Sequence, residues 1–463
     1  MLSEFLNPSR ATRGMAVAPH ALAARSALAI LRDGGNAVEA MIAAAATIAV
    51  VYPHMNNIGG DGFRLISRPG AEPVGTEACG VVALAATIDE SRSRGLSAIP
   101  VCGPVAANTV AAGTVSGWQR AHRWSAETLG GRLPVKRLLE DAIHYAKQGV
   151  PVTRSQSQCV ESRLSELRPI VGFNETFLHG GRAPGTGERF VAPRLAATFE
   201  QLADAGFDDF YRGDLARSIA SDLQSAGSLL SLADLERHEA RLRTPLALRH
   251  SLGTIYNMPP PTQGLVSLLI LGILDRVLTK GMDPLGPEFV HACVEATKLG
   301  FAVRDAEITD PDHMRVDPHE LLQPAALDAM AAQVSLTQAA PWGAGRGPGD
   351  TVWLGVTDSD GVAVSFNWRP ARGIAASARG QLGAGVLHRD HARHRHRTAG
   401  HCLAQADAPP FSRRAAGRLT PPTVCRNAHR TVVEEQTCQF SLRYAISVNR
   451  FRTKSVRSTF SAV

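Results

Sequence analysis

Residues 349–366 read as a β-hairpin whose first strand opens at Thr351, and a threonine in that place can serve as a nucleophile. The two arms, Thr351 to Thr357 and Val362 to Phe366, are rich in β-branched and aromatic residues. Between them Asp358-Ser359-Asp360-Gly361 supplies turn chemistry, with a glycine for positive φ. An ordinary hydroxyl is too weak an acid to attack an amide near neutral pH. If the chain cleaves its own peptide bond between Asp350 and Thr351, the freed α-amine, with a pKa of roughly 7.7–8.0, sits where a general base should. Asp-Thr before a strand is also a common way to begin a plain hairpin, so the remaining sequence must decide between the two.

The elements that would position such a hairpin are visible upstream. From Val38 the residues Met41, Ile42, Ala45, Ile48 and Ala49 recur at helical spacing, and Gly34-Gly35-Asn36 can stop one helix and cap the next, which predicts a buried helical hairpin with an amphipathic second arm. Gly59, Gly60 and Gly62 lead into a short strand, Phe63 to Ile66, where glycine serves a sharp bend or a close approach. No Gly-Lys-Ser/Thr follows, so this is not a phosphate loop. Ser231-Leu232-Ala233-Asp234 reads as an acidic capping box, and Met258-Pro259-Pro260-Pro261 as an extended segment lacking three backbone donors.

Read in order, these segments resemble the gamma-glutamyltransferase family over residues 15–366. The resemblance rests on Gly14-Met15-Ala16-Val17-Ala18-Pro19-His20, on residues 29–40 (Ala-Ile-Leu-Arg-Asp-Gly-Gly-Asn-Ala-Val-Glu-Ala), and on Tyr52-Pro53-His54 before Ile58-Gly59-Gly60-Asp61-Gly62-Phe63. Gly113-Thr114-Val115-Ser116-Gly117, Phe210-Tyr211-Arg212-Gly213, Met258 to Gly264, and the stretch His291 to Asp312, similar to the family's helix and aspartate-proline turn, follow at family-like spacing. The resemblance implies an α+β fold, the four-layer αββα sandwich of N-terminal-nucleophile hydrolases, incomplete at its C-terminal side. It implies self-cleavage between Asp350 and Thr351, Thr351 as the catalytic nucleophile, and residues 1–350 and 351 onward as large and small chains of one precursor. Attack by the Thr351 hydroxyl would give an acyl-enzyme that passes to water or an acceptor amine, with no metal and no cofactor. His20, His54 and His291 read as structural histidines.

The substrate reading turns on one position. In the glutathione-processing members an arginine pairs with the substrate α-carboxylate, and aligning that segment on Ala85-Ala86-Thr87 puts Cys79 at the arginine. A neutral thiol cannot replace a guanidinium. Together with the start Asp350-Thr351-Val352-Trp353, this places the chain nearer the acylases and small-amide hydrolases, so the expected partner is a small amide or acyl compound rather than glutathione.

Composition is that of a large globular enzyme, 463 residues with 44% apolar and 20% charged content. The start of the chain shows no targeting signal and the alanine-rich run 40–51 is too short to span a membrane, so a cytoplasmic protein is expected. Seven scattered cysteines without a Cys-x-x-Cys pair suggest neither a disulfide frame nor a zinc site.

The net charge of +7 hides two regions of opposite sign. Residues 367–463 hold 17 Lys+Arg against 4 Asp+Glu, a net +13, which leaves −6 on residues 1–366. The resemblance stops after Phe366, in mid-strand. A natural boundary falls in a linker, so an Arg/His-rich tail that begins inside a strand is read as the product of a reading-frame shift, expected to be disordered. Between residues 388 and 418 the tail has one aromatic, Phe411, and none interleaved with the Arg/His run, which speaks against nucleic-acid binding, and His388, His391, His394 and His396 match no metal site. No Gly-Gly pair to supply oxyanion donors follows Gly180-Gly181. Two alternatives to an active enzyme therefore stay open: an inactive, unprocessed remnant, and a basic-tailed protein that binds polyanions.

Overall fold

The structure is a computed structural model that describes residues 10–97, 113–170, 172–341 and 352–369. Asp350, Thr351 and the Arg/His-rich tail from residue 370 lie outside the described residues. The chain divides into one unit built on Met1–Thr244 and Asp350–Arg389 and a second built on Pro245–Gly349.

The first unit is organised by an antiparallel sheet. Its strands are β1 (Gly14–Val17), β2 (Asp61–Ser67), β3 (Val74–Ala78) and β6 (Arg241–Arg243), with β9 (Val352–Asp358) and β10 (Ala363–Arg369) from the far end of the chain. The order is β1-β9-β10-β2-β3-β6. The short pair β4 (Val150–Pro151) and β5 (Arg189–Phe190) lies apart from it. The expected hairpin is therefore present at the centre of the sheet, and its second arm runs three residues past Phe366, with Arg369 opposite Asp61. Side chains alternate across this sheet as strand geometry requires: Val352, Leu354, Val356, Val364 and Phe366 are buried, whereas Trp353, Gly355, Thr357 and Ser365 are half-buried.

The buried face is covered by helices. The helices of this unit include α1 (Ala21–Arg32), α2 (Ala37–Val51), α3 (Ile88–Ser93), α4 (Gly113–Leu129) and α5 (Val135–Gln148). Helix α2 packs on β9 and β10, and α4 on β2 and β3. The α1–α2 hairpin forms as expected, with Gly34 at φ +84. Asn36 then caps α2: its side chain accepts the N–H groups of Val38 and Glu39, and Glu39 accepts the Asn36 N–H in return. One expectation fails. Helix α2 is not amphipathic, because all 15 of its residues are buried between the sheet, α1 and α5, and a helix enclosed on every side has no polar face to show.

Of the four layers of the αββα sandwich, the described residues of this unit supply the helical layer and one sheet. Glu39 also accepts the Leu133 N–H at 2.8 Å, and Asn36 donates to Ser125 at 2.7 Å, so one capping box ties α2 to the ends of two other elements. The predicted box at Ser231 and Asp234 is present too, on the short helix Leu232–Glu236.

The second unit has its own apolar core. Strands β7 (Leu246–His250) and β8 (Gly253–Asn257) form a hairpin beside the helices Gly264–Val277 and Pro287–Glu307, and Leu265, Leu268, Leu269, Ile273, Phe289 and Ala296 are buried among them. The helix and the aspartate-proline turn anticipated over His291 to Asp312 fall here. The segment Met258 to Pro261 was expected to be extended. It instead closes into a turn in which the Thr262 N–H bonds the Pro259 carbonyl at 3.3 Å, and the Thr262 hydroxyl bonds the Met258 carbonyl at 2.8 Å.

Candidate active site

The strand register brings together residues that are far apart in sequence. Val352 lies opposite Trp368, Trp368 opposite Gly62, and Gly62 opposite Ala78. These four form one row across the end of the sheet. With strands ~4.8 Å apart, the row spans about 14 Å. Thr351 immediately precedes Val352 at one end of it, and Cys79 immediately follows Ala78 at the other. The proposed nucleophile itself is not among the described residues, but the strand that would carry it is fixed in place.

Two features fix that strand. The Asp358 carboxylate closes the hairpin turn, its Oδ1 accepting the N–H groups of Asp360 and Val362 at 3.1 and 3.0 Å, and Gly361 takes the positive φ expected of it. Its Oδ2 accepts the Ala37 N–H at 2.9 Å, at the open N-terminal end of α2. On the half-buried face, the Trp353 indole donates to the Ser365 hydroxyl at 2.9 Å, so the hydroxyl on the second arm is engaged with the first.

Glycines at the row permit close approach rather than left-handed backbone. A Cβ on Gly62 would sit 2.8 Å from the Phe366 ring, and one on Gly113 2.1 Å from the Ala78 carbonyl oxygen. Neither glycine is among those with positive φ. The start of α4 is therefore pressed on the end of β3. It is held there by the Ser116 N–H donating to the Tyr211 hydroxyl at 2.9 Å and by the Ser116 hydroxyl accepting the Ala240 N–H at 2.7 Å. Burial pushes the Tyr211 phenol up, so it stays neutral.

Cys79 is half-buried and directs its thiol toward the Gly80 carbonyl at 3.7 Å, while the Gly80 N–H donates to the buried Asp61 at 3.0 Å. The group that sequence reasoning missed is Arg64. Its side chain is fully buried, 1% exposed, and its guanidinium lies 4.2 Å from the centroid of the Phe366 ring. Nε, Nη1 and Nη2 have no hydrogen-bond partner among the described residues, and neither do the hydroxyls of Thr76 and Thr114. Burial alone pushes Arg64 down to about 9. An arginine inside an apolar strand pattern was the available signal, because so costly a residue is seldom buried without a purpose.

The three histidines fall where structural ones would. His20 caps α1, accepting the Leu22 N–H. His291 contacts the Ser335 carbonyl at 2.8 Å. His54 is buried against Tyr52 and meets the Ser155 hydroxyl at 3.1 Å through Nε2, but its Nδ1 has no partner among the described residues. Burial, with His20 nearby, pushes His54 down to about 4, so it is neutral at physiological pH.

A hairpin at the centre of an antiparallel sheet under buried helices is the arrangement of N-terminal-nucleophile hydrolases, and solved structures of that fold are similar to it. A cephalosporin acylase from Bacillus halodurans superposes with a TM-score of 0.72 at 27% identity, covering 84% of this chain and 70% of that one. A gamma-glutamyltranspeptidase from Pseudomonas nitroreducens does so with a TM-score of 0.63 at 30% identity, over 73% of this chain and 97% of that one. The family profile described as Gamma-glutamyltranspeptidase matches residues 23–368, and the chain belongs to that family. Among curated proteins it is 54% identical to an oxamate amidohydrolase proenzyme of Klebsiella pneumoniae over 355 residues, 77% of this chain and 66% of that protein. It is 34% identical to a glutathione hydrolase-like proenzyme of Bacillus subtilis, with the same shares covered. The chain thus spans 66% of the length of these relatives. Among the described residues, no helix is long and apolar enough to cross a membrane.

Proposed function

We propose that this chain is built as a self-cleaving hydrolase of small amides, with Thr351 as both the first residue of the small chain and the nucleophile. The observation that carries the reading is the anchored hairpin whose first described residue, Val352, stands in one row with Gly62 and Ala78. Cleavage between Asp350 and Thr351 would free the α-amine as base. The Thr351 hydroxyl would then add to the substrate carbonyl, ammonia or an amine would leave, and water or an acceptor amine would release the acyl group. Large and small chains, 1–350 and 351 onward, would remain partners. No metal or cofactor enters this scheme.

The substrate class follows from Cys79 and from the similarity to the oxamate amidohydrolase proenzyme, and both favour a compact amide over glutathione. Seven scattered cysteines without a Cys-x-x-Cys pair fit a reducing, cytoplasmic setting. Incubating the purified full chain with oxamate and measuring ammonia, beside the Thr351→Ala protein, tests the reading. Ammonia release no faster than from the Thr351→Ala protein would sink it.

A second reading, an inactive and unprocessed remnant, is favoured by the half-exposed face of the sheet. Trp353, Thr357, Ala363 and Ser365, with Phe63 and Leu65 on β2, are all incompletely covered there. On this reading residues 367–463 are the shifted-frame product anticipated from composition, and denaturing electrophoresis shows one band in place of two.

A further inference from the structure

At the edge of the sheet, β1 and α1 flank a cleft of about 380 Å³ lined by Arg13, Gly14, Arg25, Leu28, Leu31 and Arg32. Strand and helix meet at its floor, where Gly14 has φ +144 and a Cβ on it would sit 2.9 Å from Leu31 Cδ1. All three arginines are exposed, and none makes an ion pair or a side-chain hydrogen bond among the described residues. The carboxylates beside them are committed elsewhere. Asp33 is held by Arg137 at 2.6 Å, and Asp358, opposite Gly14, accepts the N–H groups of Ala37, Asp360 and Val362. Burial and then Asp141 raise the pKa of the Tyr145 phenol while Arg25 opposes them, but Asp141 forms no ion pair with Arg25. A single exposed arginine is satisfied by water. Three around one cleft set up a positive field in a concave space, which focuses it on an anion.

The spacing on α1 says which anion fits. Arg25, Leu28 and Arg32 are three and four residues apart, so they lie in one stripe along the helix. Their order is charge, apolar, charge, and the two arginines stand about 10 Å apart along the axis. Leu28 is 38% exposed and Leu31 half-buried, which leaves an apolar strip between the cations. We propose that this cleft is a second ligand site, which binds a dianion with a carboxylate at each end of an apolar spacer, an α,ω-dicarboxylate. Each guanidinium of α1 takes one carboxylate through its planar fork, Arg13 adds charge from the β1 side, and the spacer lies on Leu28 and Leu31. The volume is at the small end of the range for ligand sites and suits such a molecule. A monocarboxylate would leave one arginine unpaired, and a very short dicarboxylate could not span the two. The cleft lies at the turn end of β9, since Gly14 is opposite Asp358, whereas Thr351 stands at the other end of that strand, about 20 Å away. It is therefore separate from the substrate site proposed above, and it does not depend on Thr351 being a nucleophile.

The test is calorimetric titration of the full chain at low ionic strength with suberate, a long α,ω-dicarboxylate, beside the short succinate and the monoanion octanoate. Wild type should bind suberate at least about 5-fold more tightly than either. Arg25→Gln and Arg32→Gln should each weaken suberate about 3- to 5-fold, as expected for exposed charge pairs, and the double variant about 10-fold. Arg25→Lys should retain part of the affinity. Leu28→Asn should weaken suberate and octanoate but not succinate. The basic residues after position 366 attract anions as well, but that attraction is the same in wild type and in the α1 variants, so the contrast between them reads the cleft alone. Suberate should also raise the melting temperature of wild type and not that of the double variant. Equal affinity for suberate and succinate, or unchanged suberate binding in the Arg25→Gln, Arg32→Gln double variant, overturns the proposal.

Discussion

The carboxylate of Asp358 accepts the backbone N–H of Ala37 at 2.9 Å, joining the turn of the hairpin to the first residue of α2 across 321 positions of sequence. That N–H belongs to the set a helix leaves unpaired at its start, and a carboxylate there also meets the positive end of the helix. The strand that carries the nucleophile position is thus registered against the buried helix by a single side chain. Asp358→Ala should cost about 1–3 kcal/mol, since it removes this bond and both bonds that close the turn. Urea unfolding measures it, and a midpoint indistinguishable from wild type would refute the role.

Self-cleavage should leave threonine at the new amino terminus. Terminal sequencing of the small chain is expected to read Thr351-Val352-Trp353, and Thr351→Ala should give one uncut chain. A terminus at Val352 or Thr357 would remove the basis for calling Thr351 the nucleophile.

Cys79 should set the limit on gamma-glutamyl substrates. Release of chromophore from a gamma-glutamyl anilide is expected to be poor in wild type, because a missing charge partner of this kind costs about 2–5 kcal/mol where the opposing charge is buried. Cys79→Arg should raise that activity. Efficient wild-type turnover of the anilide would show that position 79 does not decide the preference.

Two buried histidines give stability a dependence on acid. Burial holds both His54 and His238 at about 4, below the ordinary 6.5, so the unfolded chain binds their protons more readily than the folded one. Stability from this source is complete above pH 6.5 and is lost as pH falls toward 4, by up to about 3 kcal/mol for each histidine. Melting temperatures between pH 7 and pH 4 should fall steeply in wild type and less steeply in His238→Gln. Parallel slopes would contradict the assignment.

The close approach at Gly62 predicts a further asymmetry. Gly62→Ala should destabilise by about 1–3 kcal/mol, because its Cβ would meet the Phe366 ring at 2.8 Å inside a packed layer. Gly70→Ala, at a position with open space but φ +74, should show only the smaller backbone penalty. Equal losses at the two sites would mean that the Phe366 contact yields easily.

Local chemistry made several elements legible in the sequence. The hairpin around Asp358 and Gly361, the α1–α2 pair with its Asn36 cap, and the Ser231 box depend on residues within a few positions of one another, and caps and turns leave their signature at that range. The family could be read for a related reason, since its motifs are short and keep their order. What the sequence did not disclose depends on register and enclosure. Apolar spacing in α2 suggested one buried face, and only packing against the sheet, α1 and α5 showed that every face is covered. Arg64 looked like one polar residue in a short strand until pairing placed it opposite Phe366 and Thr76, under Gly117, with no hydrogen-bond partner for its guanidinium among the described residues. A charge acquires meaning from what surrounds it in space, and its surroundings here come from segments about 50 and 300 residues away, whose pairing is set by the whole sheet rather than by any local propensity.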